Sequence, residues 1–408
     1  MPAVCLYFQV HQPYRIKPFS IYAIGSGDDY FNDTEIRNTN NRYILEKVAR
    51  KSYLPTNELL LELLEENPQF KISFSFSGVF LDQCIEYMPD VLASFQKLIR
   101  TGQVEVLAET YYHSLAVLYS EKEFAEQVRL HTKKIEAVFH TTPRVFRNTE
   151  LIYSDAIGDI VEKLGYSGIL AEGADYILGW KSPNFIYTHN TNSNLRLLLK
   201  NYRLSDDIAF RFGSKEWTAY PLTADTFAHW IHGHNGNADS INLFMDFETF
   251  GEHQWEDTGI FEFVRQLPQA VLKDSDSSFI TPSEAFARFP ARESVSMPNP
   301  VSWADIERDL SAWRSNPLQH DALKEIYALE DIVCATKNAH LIDTWRKLQT
   351  SDHFYYMCTK WFADGDVHAY FNPYQSPYEA YISYMNVLKD FEIQIKKHIS
   401  SQQKNKWL

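Results

Sequence analysis

The chain has 408 residues, more than one ordinary domain core uses, so a large domain with a smaller companion is expected. Its net charge of −14 disfavours nucleic acid and other polyanions as partners and suits a neutral substrate. Aromatics are 15% of the residues (24 Tyr, 27 Phe, 9 Trp), enough to line a cleft as well as a core, and flat rings at a cleft match the apolar faces of sugars.

The four cysteines, Cys5, Cys84, Cys334 and Cys358, are scattered with no CxxC and read as buried thiols. No basic region followed by an apolar core opens the chain, and no run of 18 apolar residues occurs. A soluble, cytoplasmic protein without a membrane partner is the expectation.

Ala3 to Val10 is a mostly apolar strand that runs into His11-Gln12-Pro13, where Pro13 ends it for want of an amide proton. Tyr14 to Asn40 is polar and rich in Gly, Asp and Asn, a long loop. Asn41 to Asn67 reads as helix, Phe70 to Phe76 as an alternating strand, and Leu81 to Arg100 as a helix stopped by Gly102. Val104 to Leu107 is the next strand and opens into Glu109 and His113. Glu121 to His140 is helical. Arg144 to Arg147 is a short strand ending in Asn148-Thr149-Glu150, followed by a helix from Asp155 to Leu164 and a strand from Gly168 to Ala171.

Trp180 to Trp217 is less regular, with Ile208 to Phe212 as its strand candidate, and Thr223 to His232 reads as a short helix. Ile241 to Met245 is an apolar run broken only by Asn242, as in a buried parallel strand, and it leads into Asp246, Glu248 and Gly251. A helix from Gly259 to Leu272 and a strand at Phe279-Ile280 close this pattern. Strand–helix alternation over residues 1–288 predicts a parallel α/β barrel, with an open doubly wound sheet as the competitor. No G-x-G-x-x-G or Walker loop follows the first strand, so a nucleotide cofactor is not expected.

Residues 289–300 form a polar linker with Pro298 and Pro300. Beyond it, Ser302 can cap a helix with Asp305 and Glu307 in its first turn. Leu318 to Lys337, Ala339 to Gln349, Asp352 to Trp361 and Tyr378 to Ile399 also carry helical periodicity. Residues 301–408 are therefore expected to be an all-α bundle.

Polar side chains stand just past predicted strands at His11, at Glu109 with His113, at Glu150, and at Asp246 with Glu248. Period-two geometry would send Asp246 and Glu248 to one face and Phe247 to the other. Each has a structural reading: a core histidine, a helix-capping carboxylate, or Glu109 and Glu248 in a buried network with Arg144 or Arg147. Their recurrence favours one pocket at the carboxyl ends of barrel strands. Paired carboxylates suit glycoside cleavage, where one is protonated to assist the leaving group and the other is ionised. Metal chemistry is the rival, because His229, His232 and His234 cluster; but HGHNGN reads better as a flexible loop, and no metal or other cofactor is expected.

Five stretches in order resemble glycoside hydrolase family 57, in its α-amylase-type group. They are His11-Gln12-Pro13; Gly102 to Leu107 running on to Tyr111-Tyr112-His113; Phe146 to Glu150; Asp246 to Gly251; and Gln349 to Tyr355. The resemblance implies a distorted seven-stranded (β/α) barrel followed by a C-terminal all-α helical bundle that completes the active-site cleft. It implies Glu150 as nucleophile and Asp246 as general acid/base. His11, Glu109, His113 and Glu248 are expected to bind substrate, as are Gln12, Arg147, His253, Trp255, Asp352 and Tyr355. The chain departs from the family where Arg147 stands in place of a frequent aromatic.

The implied activity is retaining hydrolysis of α-1,4-glucosidic bonds in starch, glycogen or maltodextrins. 4-α-Glucanotransferase or branching activity is the alternative on the same scaffold, and a non-catalytic glucan-binding or regulatory protein is the alternative of another class. Arg147 or His11 would hold Glu150 ionised, and Glu248 would disfavour ionisation of Asp246. A retaining pair stands about 5–5.5 Å apart.

Overall fold

Nine strands occur among the described residues, which are 2–27, 29–190, 193–360 and 372–405 of the computed structural model. They are β1 (Ala3–Val10), β2 (Ile72–Phe76), β3 (Val104–Val106), β4 (Val145–Arg147), β5 (Gly168–Glu172), β6 (Tyr187–Thr188), β7 (Arg196–Lys200), β8 (Ser240–Asp246) and β9 (Ser278–Phe279). All eight side chains of β1 are buried, as expected of a parallel strand covered on both faces. One edge of β1 pairs with β8 from Ala3 to Gln9. Its other edge is shared, by β9 at Ala3 and Val4 and by β2 from Tyr7 to Val10.

One sheet has the order β3-β2-β1-β8, with β9 on β1, and the other has the order β4-β5-β7-β6. Every pairing is parallel except β6 with β7. Hydrogen bonds outside the ladders run from one sheet to the other at two places. Ala108 N donates to Val145 O (2.9 Å) and Arg147 N to Ala108 O (2.8 Å); Asn201 N donates to Asn242 O (2.9 Å) and Asn242 Nδ2 to Leu199 O (2.9 Å). The ladders alone close no barrel, so the fold is an α/β assembly of parallel sheet and many helices.

The chain divides into two compact units, each drawn from separated stretches. The first holds the described residues of 1–11, 45–110 and 125–303, and the second those of 12–44, 111–124 and 304–408. All nine strands lie in the first. In the second, helices Pro317–Ala328, Glu330–Thr336, Ala339–Lys347, Ser351–Tyr355 and Pro377–Asn405 dominate. Asp390 of the last helix accepts from Gly25 N, Gly27 N and the Tyr30 hydroxyl, which fixes the loop before Tyr30 to that helix.

Several elements differ from the expectation. Ile208–Phe212 is not a strand: Asn201 caps a helix at Tyr202–Asp206, and a π-helical turn, Asp207–Arg211, continues it. The strand of that region is β7, whose Leu197–Leu199 run is fully buried. The helix expected over Leu81–Arg100 is two, Gly78–Tyr87 and Pro89–Arg100, because Pro89 can start a helix but not continue one. No helix starts at Ser302. Asp305 and Arg308 have positive φ (56° and 52°), which breaks a helical turn, and helix resumes only at Ser311–Arg314. The helix expected over Asp352–Trp361 is Ser351–Tyr355, and Trp361 lies outside the described residues. Cys5, Cys84 and Cys358 are buried, whereas Cys334 is only partly so.

Candidate active site

β4 ends at Arg147, and the following turn presents Glu150. Glu150 and Leu151 both have positive φ (57° and 52°), a conformation that costs a non-glycine residue about 1–3 kcal/mol. The surroundings hold the turn there. Asn148 Nδ2 donates to Ile152 O (2.9 Å), and the Thr149 and Thr110 hydroxyls bond at 2.7 Å. Tyr153 and Val301 exchange two backbone hydrogen bonds (3.0 and 2.8 Å), and this pairing delivers Trp303. Trp303 N donates to Glu150 O (3.2 Å), and the indole Nε1–H donates to Glu150 Oε2 (2.9 Å).

The Arg147 guanidinium is fully buried, and none of its nitrogens has a hydrogen-bond partner among the described residues. Its Cζ lies 4.7 Å from the Trp303 ring centroid, and Nη1 is 3.9 Å from Glu109 Oε2. Burying an ion costs several kcal/mol, whereas a cation–π contact returns about 0.5–2 kcal/mol. The ring alone is therefore too small a compensation, and the Glu109 carboxylate is needed for the balance.

Glu109 follows β3 and is also fully buried. Gln9 of β1 directs Nε2 at both its oxygens (3.3 and 3.4 Å), while Gln9 Oε1 accepts from the Tyr7 and Ser75 hydroxyls (2.9 and 2.8 Å). His131 Nδ1 accepts from Glu109 N (3.3 Å) and Nε2 lies 2.8 Å from Phe76 O, so the proton sits on Nε2. Burial pushes the pKa of this ring down and keeps it neutral. The buried Tyr7 hydroxyl has its pKa raised, by burial first, with Arg147 opposing and Glu109 and Asp246 adding to the rise. Arg147, Glu109 and Asp246 thus act on one buried hydroxyl. His11, one residue past β1, places Nδ1 2.6 Å from Ser77 Oγ, the cap of helix Gly78–Tyr87.

Asp246 closes β8 opposite Gln9 in the β1 register and is partly exposed. The expected alternation past it does not hold, because Phe247–Thr249 is a 3₁₀ turn rather than strand. Phe247 packs among Phe8, Phe74 and Phe95 and lies parallel to the Tyr53 ring (6.3 Å, 5°). The Tyr53 hydroxyl donates to the Glu248 carboxylate. Gly251 has φ +98°, and a Cβ there would stand 2.0 Å from Lys51 O, so glycine is required. Burial pushes the His253 pKa down to about 4, Glu252 opposing and Lys47 adding, so the ring is neutral at pH 7. Trp255 is 56% exposed, with Nε1 donating to Glu252 O (3.0 Å) and Lys51 Nζ 5.3 Å from its ring.

The family model described as "Glycosyl hydrolase family 57" matches residues 5–298. The chain belongs to glycosyl hydrolase family 57. This family 57 enzyme is 40% identical over 410 residues to a provisionally named alpha-amylase of Methanocaldococcus jannaschii, across 98% of this chain and 86% of the relative. Its fold is that of the branching enzyme of Pyrococcus horikoshii (TM-score 0.68, 15% identity, 91% of this chain and 87% of the other). It is also that of the 4-alpha-glucanotransferase of Thermococcus litoralis (TM-score 0.63, 17% identity), where 86% of this chain covers 56% of the other.

The residues singled out by the family 57 stretches divide between the units. His11, Glu109, Arg147, Glu150, Asp246, Glu248, His253 and Trp255 lie in the first, and Gln12, His113, Asp352 and Tyr355 in the second. Arg147 and Glu150 are brought together at Trp303, with Glu109 beside Arg147 and Asp246 on the β1–β8 pair; Glu248 bonds to Tyr53. In the second unit, Gln12 Oε1 accepts from Arg15 Nη2 (3.1 Å), and His113, at φ 50°, accepts Ser351 N on its carbonyl (2.9 Å). The Tyr355 ring lies 6.3 Å from that of Trp313.

Trp303, Gln9, Tyr53 and His131 are the parts of the site that the sequence did not reveal. A polar Gln9 in an otherwise apolar strand was the available signal; Trp303, in a region without strand periodicity, carried none. Among the described residues no group of three His, Cys, Asp or Glu side chains could hold a metal. His232 Nε2 instead lies 3.1 Å from Val271 O, and His234 Nδ1 3.5 Å from Asn184 Nδ2. No helix among them is long and apolar enough to cross a membrane.

Proposed function

We propose that this family 57 enzyme is a retaining glycoside hydrolase acting on α-1,4-glucosidic bonds of starch, glycogen or maltodextrins. The observation that carries the reading is Glu150, held on a left-handed turn with its carboxylate oriented by the Trp303 indole and a buried guanidinium three residues upstream. In this reading the ionised Glu150 attacks the anomeric carbon while Asp246 gives its proton to the departing oxygen. A covalent β-glycosyl enzyme forms and the glycosidic C–O bond breaks. Asp246 then takes a proton from water, whose oxygen displaces Glu150 and restores the α configuration. Glu109, Gln9 and Arg147 form the buried polar base below this chemistry, and His11, His253 and Trp255 offer donors and a ring to the sugar.

Incubation with maltoheptaose, with products separated by chain length and followed by proton NMR, tests this. Shorter maltooligosaccharides appearing first as α anomers are expected, and β-maltose as the first product would sink it. Glycosyl transfer to a sugar acceptor is the second reading, supported by the fold shared with a branching enzyme and a glucanotransferase. Products longer than seven glucose units, or α-1,6 linkages, would favour it.

We also infer that β1, β2, β3, β4, β5, β7 and β8 make a distorted ring of seven strands. The hydrogen bonds at Ala108 and at Asn242 support this, since they bridge the gaps that the ladders leave. Residues 1–288 would then be the catalytic barrel, 289–300 a linker and 301–408 the helical part. In support, the elements described after Arg288 are helical.

A further inference from the structure

We propose that Trp303 is a positioning residue for the nucleophile, and that the buried cations Arg147 and Lys200 make its indole a stronger donor to Glu150. The inference rests on the nucleophile reading given above and adds to it Lys200 and the effect of two buried cations on the indole. Trp303 Nε1 stands 2.9 Å from Glu150 Oε2, while its backbone N–H holds Glu150 O at 3.2 Å, so one residue grips both ends of Glu150. The ring that carries this N–H has Arg147 Cζ at 4.7 Å and Lys200 Nζ at 5.5 Å from its centroid. Cations near a π system draw its electrons toward themselves, which leaves the N–H more positive and a better donor to an anion.

Both cations are themselves locked. Lys200, the last residue of β7, is buried and pairs with Asp206 (3.1 Å) and with Glu172 at the end of β5 (3.9 Å). Arg147, the last residue of β4, faces Glu109. Two strand ends, those of β4 and β7, therefore converge on one ring, with Glu172 of β5 behind Lys200, and that ring fixes one oxygen of the Glu150 carboxylate. The charged groups at this ring and its two cations are Arg147 on β4, Glu109 past β3, Lys200 on β7, Glu172 on β5 and Asp206, while the charge of Asp246 on β8 acts on the same Tyr7 hydroxyl as those of Arg147 and Glu109.

Two replacements separate the N–H from the ring. Trp303→Phe keeps an aromatic face, and exchange of Trp303 for the benzothiophene amino acid keeps the indole shape while sulfur replaces N–H. Both are assayed on maltoheptaose beside Glu150→Gln, and circular dichroism establishes which are folded. Loss of a hydrogen bond to a charged group is expected to lower kcat about 10- to 100-fold, with KM little changed. The acid limb of kcat/KM is expected to move up by about one pH unit, because the ionised form loses a donor. A merely structural ring would leave that limb in place. Lys200→Met is expected to shift both quantities the same way, with kcat falling about two- to fivefold; no change there overturns the role given to the cations. Wild-type kinetics and pH profile in the benzothiophene protein, beside an inactive Glu150→Gln, would overturn the inference alone. An active Glu150→Gln would overturn it together with the nucleophile reading.

Discussion

The ends of β4 and β8 carry the two carboxylates of the proposed mechanism and are shaped by different means. After β4, residues 147–149 and Leu151 are buried, the backbone is held in an unfavourable conformation, and Glu150 is gripped at both ends by one tryptophan. After β8, residues 247–251 are buried as well, and only beyond them do Glu252 and His253 become partly buried and Trp255 exposed. There the shape is set by one glycine and by aromatic packing of Phe247. Under the proposed mechanism the difference has a physical basis. A nucleophile gains from fixed dipoles that need no reorganisation at the moment of attack. A proton carrier has to exchange its proton with water or an acceptor in each turnover, and the partial exposure of Asp246 serves that exchange.

The comparison breaks first at Glu150. Glu150→Gln retains an oxygen to accept from Trp303 and loses the negative charge, so the fold is expected to persist while kcat on maltoheptaose falls by about 10³-fold or more. Azide added to Glu150→Ala should restore turnover as a β-glycosyl azide, identified by mass spectrometry and NMR. An α-glycosyl azide, or rescue of neither kind alongside a Glu150→Gln enzyme of normal rate, would remove Glu150 from this role.

On the β8 side the sharpest single position is Gly251. An alanine there would have to tolerate φ +98° and to displace Lys51 O, which is backbone and has little freedom to move. The expected loss is about 3 kcal/mol in urea unfolding. A Gly251→Ala protein of unchanged stability would show that the turn after β8 is softer than its geometry implies.

What was legible in the sequence follows from how local each determinant is. The buried strands β1 and β8 announce themselves as apolar runs, and the polar residues just past their ends could be named from position alone. β7 was lost because its LRLLLK run sits between irregular stretches, while the alternating IAFRF nearby imitates a strand. The Asn201 cap decides that competition, since its side chain receives Leu204 N and commits the following residues to helical turns. Trp303 was lost for a different reason. Its role depends on the Tyr153–Val301 pairing, a contact between residues far apart in the chain that no local pattern encodes. The strand alternation drawn through Asp246-Phe247-Glu248 failed for the same kind of reason, because Tyr53 draws Glu248 aside and Phe247 belongs to a cluster assembled from β1, β2 and helix Pro89–Arg100.

The smallest effect is expected at Asp352, in the second unit. The family resemblance gives it to the substrate, whereas helix capping by Ser351 or Asp352 was its simplest structural role. The capping position is instead Thr350, which makes no side-chain bond to the helix and donates its hydroxyl to Tyr112 O (2.9 Å) and Lys347 O (3.0 Å). The Asp352 carboxylate faces the Tyr356 hydroxyl, whose pKa is raised by burial first and by the charge of Asp352 beside it. Asp352→Asn keeps an acceptor for that hydroxyl and removes the charge. A purely local role would appear as a loss of about 1–2 kcal/mol in unfolding with kinetics untouched, because a charge-assisted bond becomes a neutral one. A role toward the sugar would appear as a rise in KM for maltoheptaose of up to about tenfold, with kcat nearly constant, the signature of lost uniform binding. The second outcome is expected, and an unchanged KM in a destabilised protein would leave Asp352 a structural role alone.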